Sequence, residues 1–131
     1  TIPLREKPED VLHHFRLTES LKNTVNMTVI GSAYSLLRDG NNRLQESDPS
    51  RMSFRYWAEK NIGEGRVDMV GLGRQSLADY RFAQKALSGA DDINYCTLCN
   101  GCLKLLQNQK ESGCTVYDEY YRGLLKEITK T

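Results

Sequence analysis

Three of the four cysteines in the chain fall within one short stretch, Cys96-Thr97-Leu98-Cys99-Asn100-Gly101-Cys102, and the fourth is Cys114, giving the pattern C-x2-C-x2-C-x11-C. Thiols so grouped can ligate metal, pair as disulfides or stay free. A secreted disulfide framework usually spreads its cysteines to staple distant loops, whereas here three crowd one turn, so metal is the better expectation. Structural zinc more often uses two C-x2-C knuckles with a longer span between them, and the third thiol here comes too early to open a second knuckle. Three thiolates wrapped in a tight loop, with a fourth arriving from a later turn, suit the corners of a [4Fe–4S] cube. Asn100-Gly101 would let the loop turn sharply, and Gly113 would let the chain approach Cys114. Zinc, and free or disulfide-bonded thiols, remain the alternatives on spacing alone.

A second place for chemistry lies at two strand ends. In VNMTVIGSAYS the β-branched Val25, Thr28, Val29 and Ile30 give way to small Gly31, Ser32 and Ala33, and in RVDMVGLGR the apolar Val67, Met69 and Val70 run into Gly71, Gly73 and Arg74. Small residues let backbone amides approach a ligand, and Arg74 adds a planar fork of donors, a combination suited to phosphate. The loops after strands seven and eight of (β/α)8 barrels are a frequent phosphate site, so two such strand ends fit the tail of a barrel. A Gly-x-Gly-Arg turn alone is also compatible with an ordinary turn.

The elements that must position these residues can be read from periodicity. Pro8, the acidic residues after it, and Val11, Leu12, Phe15 and Leu21 predict a helix from about residue 8 to about residue 23, with His13 and His14 expected as a solvated or capping pair. The polar stretch from Leu36 to Arg51 reads as an extended surface loop. Phe54, Trp57, Ala58 and Ile62 recur at helical spacing, with Trp57 and Phe54 expected in the core and Gly63 to Gly65 ending the helix. A further helix is expected from Leu77 or Asp79 to Leu87, closed by Gly89, and Tyr117, Tyr121, Leu124 and Ile128 mark a C-terminal amphipathic helix. The alternation is that of an α/β fold with parallel strands. Two apolar strands expect neighbours on both edges, so the chain reads as part of a larger sheet, with residues 1–90 the end of a barrel and residues 91–131 a cysteine-rich tail.

At 131 residues there is room for one modest core, and a formal net charge of +1 supplies no bulk field toward nucleic acid or anionic lipid. Apolar runs are too short to cross a bilayer, and TIPLREKPED has no signal-peptide core, so a soluble, cytoplasmic protein without nucleic-acid or membrane partners is expected.

VDMVGLGRQSLAD, followed by CTLCNGC and then by Cys114, resembles the C-terminal end of the FMN barrel in the old yellow enzyme superfamily, specifically its iron–sulfur branch with 2,4-dienoyl-CoA reductase and trimethylamine dehydrogenase. The likeness runs from the helix at Pro8 to about Tyr121 and spans only the last third or so of such a barrel, its strands seven and eight with flanking helices. It implies an NAD(P)H:flavin oxidoreductase. FMN phosphate would be held by backbone amides of Gly31, Ser32, Ala33 and Tyr34 together with Gly73 and Arg74, and a [4Fe–4S] cluster by Cys96, Cys99, Cys102 and Cys114 would pass single electrons to the flavin. It also implies that the hydride chemistry and proton donors reside on strands one to six, so no catalytic residue is assigned here. The rest of the barrel or an N-terminal subunit, and an electron donor fed by NAD(P)H, are the implied partners. Exposed strand edges imply self-association when those partners are missing. Ala33-Tyr34 departs from the Gly pair or Asn of many relatives, the 38–51 segment is longer than the usual connection, and TVYDEYYRGLLKE departs from the dienoyl reductase pattern, which points to another substrate. The rival reading is a zinc-stabilised α/β binding module without redox activity.

Overall fold

The computed structural model describes residues 8–41 and 48–130. It divides into two compact units, Thr1–Leu72 and Gly73–Thr131. Among the described residues, no helix is long and apolar enough to cross a membrane.

In the first unit, helix α1 (Pro8–Thr24) starts at Pro8, with Glu9 and Asp10 in its first turn. Proline costs nothing there because its missing N–H has no helical partner anyway, and the carboxylates favour the positive end of the helix. Val11 and Phe15, one turn apart, are buried in the core. Strand β1 (Ile30–Gly31) pairs in parallel with strand β2 (Met69–Val70), Ile30 opposite Met69 and Gly31 opposite Val70.

Both strands are much shorter than their apolar runs predict, and Asp68 supplies the reason. Val29 O accepts from the amides of Asp68 (3.0 Å) and Met69 (3.4 Å), but Val29 N donates to Asp68 Oδ2 (2.8 Å), so a side chain replaces the next carbonyl of the ladder. Lys22 Nζ reaches the same carboxylate oxygen at 2.8 Å. The Lys22 ammonium, and then the Val29 amide, hold the Asp68 carboxyl below its ordinary range.

The core of this unit is aromatic. Phe15 stacks on Tyr34 with ring centroids 4.2 Å apart, Trp57 closes on Phe15 at 5.7 Å, and Phe54 meets the edge of Tyr34 at 6.4 Å. Trp57 and Phe54 come from helix α2 (Phe54–Gly63), whose first turn is capped by Ser53 Oγ accepting from Tyr56 N at 3.2 Å. Gly65, at a φ of 69°, follows its end as expected. The apolar face differs from its periodicity at one place. Ile62 is exposed and Asn61 is buried instead, its Nδ2 donating to the Tyr34 hydroxyl at 2.8 Å while its main-chain carbonyl accepts the amides of Arg66 and Val67. The polar stretch after Leu36 is not wholly a surface loop either: Leu37 and Asp39 are buried, and Met52, from the 3-10 turn Pro49–Met52, packs on the core. Residues 42–47 of that stretch lie outside the described residues.

In the second unit, the helix expected from Leu77 or Asp79 onward is two: α3 (Arg74–Ala78) and α4 (Phe82–Ser88). Asp79 breaks them, with an extended backbone and its Oδ1 accepting the Arg81 amide at 3.0 Å. Gly89 ends α4 in the left-handed conformation, as predicted. Helix α5 (Gly101–Gln107), which periodicity did not announce, follows the cysteine loop, and α6 (Glu119–Thr129) starts at Asp118, whose carboxylate accepts from Tyr120 N and Tyr121 N.

Gly31 illustrates how tightly the first core is closed. A Cβ there would lie 3.0 Å from both Tyr34 Cε2 and Val67 Cγ1. Gly31→Ala is therefore expected to destabilise the first unit by about 1–3 kcal/mol through overpacking. Urea denaturation followed by Trp57 fluorescence measures it, and an unchanged midpoint would contradict this packing.

Candidate functional site

All four cysteines line one pocket, partly open to solvent, together with Arg74, Asn100 and Thr115. Three come from one loop and its exit into a helix, the fourth from a later segment, and several side chains pin these stretches.

Cys96 sits on an extended segment gripped by Gln75 and Asp79. Gln75, which is 1% exposed, donates from Nε2 to Asn94 O (2.9 Å) and accepts the Cys96 amide on Oε1 (2.9 Å). Four residues on, Asp79 Oδ2 accepts the Asn94 amide at 3.2 Å and binds Lys85 Nζ at 2.8 Å, while Lys85 also donates to Asp92 O at 2.7 Å. From another direction, the Tyr117 hydroxyl donates to Tyr95 O at 2.9 Å.

Leu98 (φ 56°) and Asn100 (φ 61°), both left-handed, flank Cys99, and Asn100 leads the chain on to Cys102. Asparagine tolerates that region well, and a buried leucine less so. Gly101 serves a different purpose from the turn predicted for it. It sits inside α5, and a Cβ there would come within 2.0 Å of Thr115 Oγ1, so the glycine admits Thr115 to the pocket, where its hydroxyl stands 3.9 Å from Cys99 Sγ. Gly113 likewise makes room: its Cβ would fall 2.1 Å from the Tyr121 ring of α6. Arg122 of α6 donates to Thr115 O at 3.3 Å and to Val116 O, Cys114 O accepts the Asp118 amide at 3.1 Å, and Ser112 Oγ donates to Cys102 O at 2.9 Å.

The electrostatics differ among the thiols. Burial pushes Cys96 and Cys102 up, against the opposing pull of the Leu98 and Leu103 amides respectively and of Arg74. Burial acts on Cys99 too, but the Gly101 amide and the Thr97 and Thr115 hydroxyls outweigh it and bring this thiol below its ordinary value. Tyr117 is raised by burial, then by the neighbouring Cys114 and Cys96. All four cysteines are free thiols. Among the described residues, no group of three or more His, Cys, Asp or Glu side chains is arranged to hold a metal ion.

The residues expected at a phosphate fall into both units. In the first, Ser32 Oγ lies 3.3 Å from His14 Nε2, so His14 is not merely solvated, whereas His13 is exposed as expected. Ala33, at a φ of 74°, opens a 3-10 turn, and Tyr34 is a core residue by its side chain. In the second, Gly73 precedes α3 and its carbonyl accepts from Ser76 N and Oγ, while Arg74 is turned to the cysteine pocket, its Nη1 donating to Asn100 Oδ1. The supporting residues Gln75, Asp79, Thr115 and Arg122 were not foreseen. The Gln75-to-Asp79 spacing of one helical turn in RQSLAD was the only available signal.

Sequence comparison finds relatives named as reductases and an oxidase, each matched over part of the chain. The chain is 41% identical over 64 residues (47% of this chain, 10% of its relative) to a bilirubin reductase of Mediterraneibacter gnavus. It is 36% identical over 76 residues (56% and 11%) to a metal reductase of Desulforamulus reducens, and 42% identical over 64 residues (46% and 10%) to an NADH oxidase of Thermoanaerobacter brockii. The chain thus spans about a tenth of the length of the curated relatives it matches. No family model matches it, and no solved structure does.

Two outcomes follow from the Gln75 and Asp79 grip. Gln75→Ala strands the Cys96 amide and the Asn94 carbonyl, and should cost the second unit about 1–3 kcal/mol in chemical denaturation; a loss within error of zero would mean the grip is idle. Although burial alone would raise Asp79, Lys85 and the Asn94 and Arg81 amides hold its carboxyl below the ordinary range. The stability this confers is complete above the unfolded aspartate value of about 4 and is lost as pH falls through the lower folded one. Thermal melts from pH 6 to about pH 2 should show that loss, and Asp79→Asn should flatten it; equal slopes would contradict the assignment.

Proposed function

We propose that this chain supplies the iron–sulfur and flavin-phosphate portion of an NAD(P)H-dependent flavin oxidoreductase. In this reading Cys96, Cys99, Cys102 and Cys114 hold a [4Fe–4S] cluster, the parallel pair β1–β2 forms strands seven and eight of a (β/α)8 barrel, and Gly31 to Tyr34 with Gly73 and Arg74 receive the phosphate of FMN. The observation that carries it is the gathering of all four thiols on one pocket wall.

The Gly101 amide and the Thr97 and Thr115 hydroxyls favour thiolate at Cys99, while at Cys96 and Cys102 burial outweighs the Leu98 and Leu103 amides. Three thiols in one tight loop with a fourth from a later turn, C-x2-C-x2-C-x11-C, suit the corners of a four-iron cube better than the two C-x2-C knuckles usual for structural zinc. The partial similarity to two reductases and an oxidase supports an oxidoreductase role. The cluster, when bound, stores and passes one electron at a time. The chain's own part is to bring the half-buried Cys96, Cys102 and Cys114 to one pocket and to leave the exposed Cys99 open toward an electron partner. Hydride transfer would belong to the flavin, and the residues serving it to the remaining barrel or a separate subunit.

Anaerobic reconstitution with iron and sulfide is expected to yield about four irons per chain and a broad absorption near about 400 nm that dithionite bleaches. Cys99→Ser should lower the iron content. A colourless protein carrying one zinc would overturn the iron–sulfur reading in favour of a structural metal.

A further inference from the structure

Arg74 and Gln75 are consecutive, yet they grip opposite limbs of the same loop. Gln75 takes the backbone at Asn94 and Cys96, the entry limb. Arg74 takes the side chain of Asn100, which sits between Cys99 and Cys102 and carries the left-handed turn that leads into α5. Asn100 adopts a φ of 61°, a region asparagine tolerates, and its side chain makes no capping bond to the helix it opens, which leaves its Oδ1 for a partner outside that helix. The Arg74 guanidinium is the side chain bonded to its Oδ1, and it also lines the pocket the four sulfurs share.

From this geometry we infer that Arg74 is a positioning residue for the thiol pocket: it fixes the Cys99–Cys102 turn through Asn100 and stands as a permanent positive charge beside the sulfurs. This is a different task from contacting phosphate. It makes the α3 start a two-handed clamp, in which Gln75 sets where Cys96 lies and Arg74 sets where the Cys99 and Cys102 limb lies. Arginine suits this because its charge is never lost and its planar fork can hold an amide oxygen while other N–H groups remain for a second acceptor.

The test uses the chain in both iron-free and reconstituted forms, and only the second rests on the iron–sulfur reading. In the iron-free chain, hydrogen exchange of the Leu98 to Cys102 amides should accelerate roughly three- to tenfold in Arg74→Gln, the range expected for losing one charge-assisted but solvent-exposed bond. Asn100→Ala should give a similar acceleration. Because both act through one bond, Arg74→Gln/Asn100→Ala should be no faster than the worse single variant. In the reconstituted chain, Arg74→Gln should release iron to a chelator faster and show a lower midpoint potential, since removing a nearby cation disfavours the more negative reduced state. Arg74→Lys should keep the potential but not the slow release, because it retains charge and loses the fork. Unchanged exchange in Arg74→Gln, or additive effects in the double variant, would overturn the inference even if the cluster forms. Failure of the parent chain to take up iron, with the exchange results as expected, would instead overturn the proposed function and leave the clamp standing.

Discussion

Leaving a buried polar group unpaired costs free energy, and Gln75 commits both its Nε2 donor and its Oε1 acceptor to the backbone that presents Cys96. That single demand orders much of the second unit. Because Gln75 reaches Asn94 O and Cys96 N, the segment between must run extended, and because Asp79 lies one turn further on, it meets the Asn94 amide on the same edge. Asp79 in turn stops α3, starts α4 and recruits Lys85, which binds back to Asp92. The thiol pocket is therefore assembled on polar bonds from a five-residue helix, not on a large apolar core. Such bonds add modest net stability each but penalise every alternative arrangement that would leave one of them unmade.

The first unit relies on the opposite strategy. Its centre is a stack of aromatic rings around Phe15 and Tyr34, and its polar atoms are few. Where one does enter, at the Tyr34 hydroxyl, Asn61 is buried to meet it, and the helix gives up Ile62 to solvent in exchange. Asp68 does for the strands what Gln75 does for the cysteine segment: a side chain takes the place of a main-chain partner.

What could be read from the residues followed from patterns repeated along the chain. Pro8 with the Val11–Phe15 spacing placed α1, Gly89 and Gly65 placed two helix ends, the small residues after two apolar runs placed a parallel pair, and the cysteine spacing singled out four residues that the fold gathers on one pocket. What could not be read was set by contacts across sequence. The split between α3 and α4 depends on where Asp79 finds its partners, the burial of Asn61 depends on Tyr34, and α5 is too short to announce itself by periodicity. Gly101 and Gly113 were legible as glycines but not as clearances, since the groups they clear, Thr115 and Tyr121, lie at distant positions.

Those two clearances have a consequence for how such a sequence can change. Gly101 and Thr115 occupy what is nearly one volume, and Gly113 and the Tyr121 ring occupy another. Neither member of a pair is free to drift alone: a methyl group at residue 101 demands a smaller neighbour at 115, and one at 113 demands a smaller ring position at 121. The spacing between cysteines thus understates what the loop inherits. Two further pairs must travel together with the thiols, so that lineages of this segment should diverge by paired steps at these positions while the surrounding surface varies residue by residue.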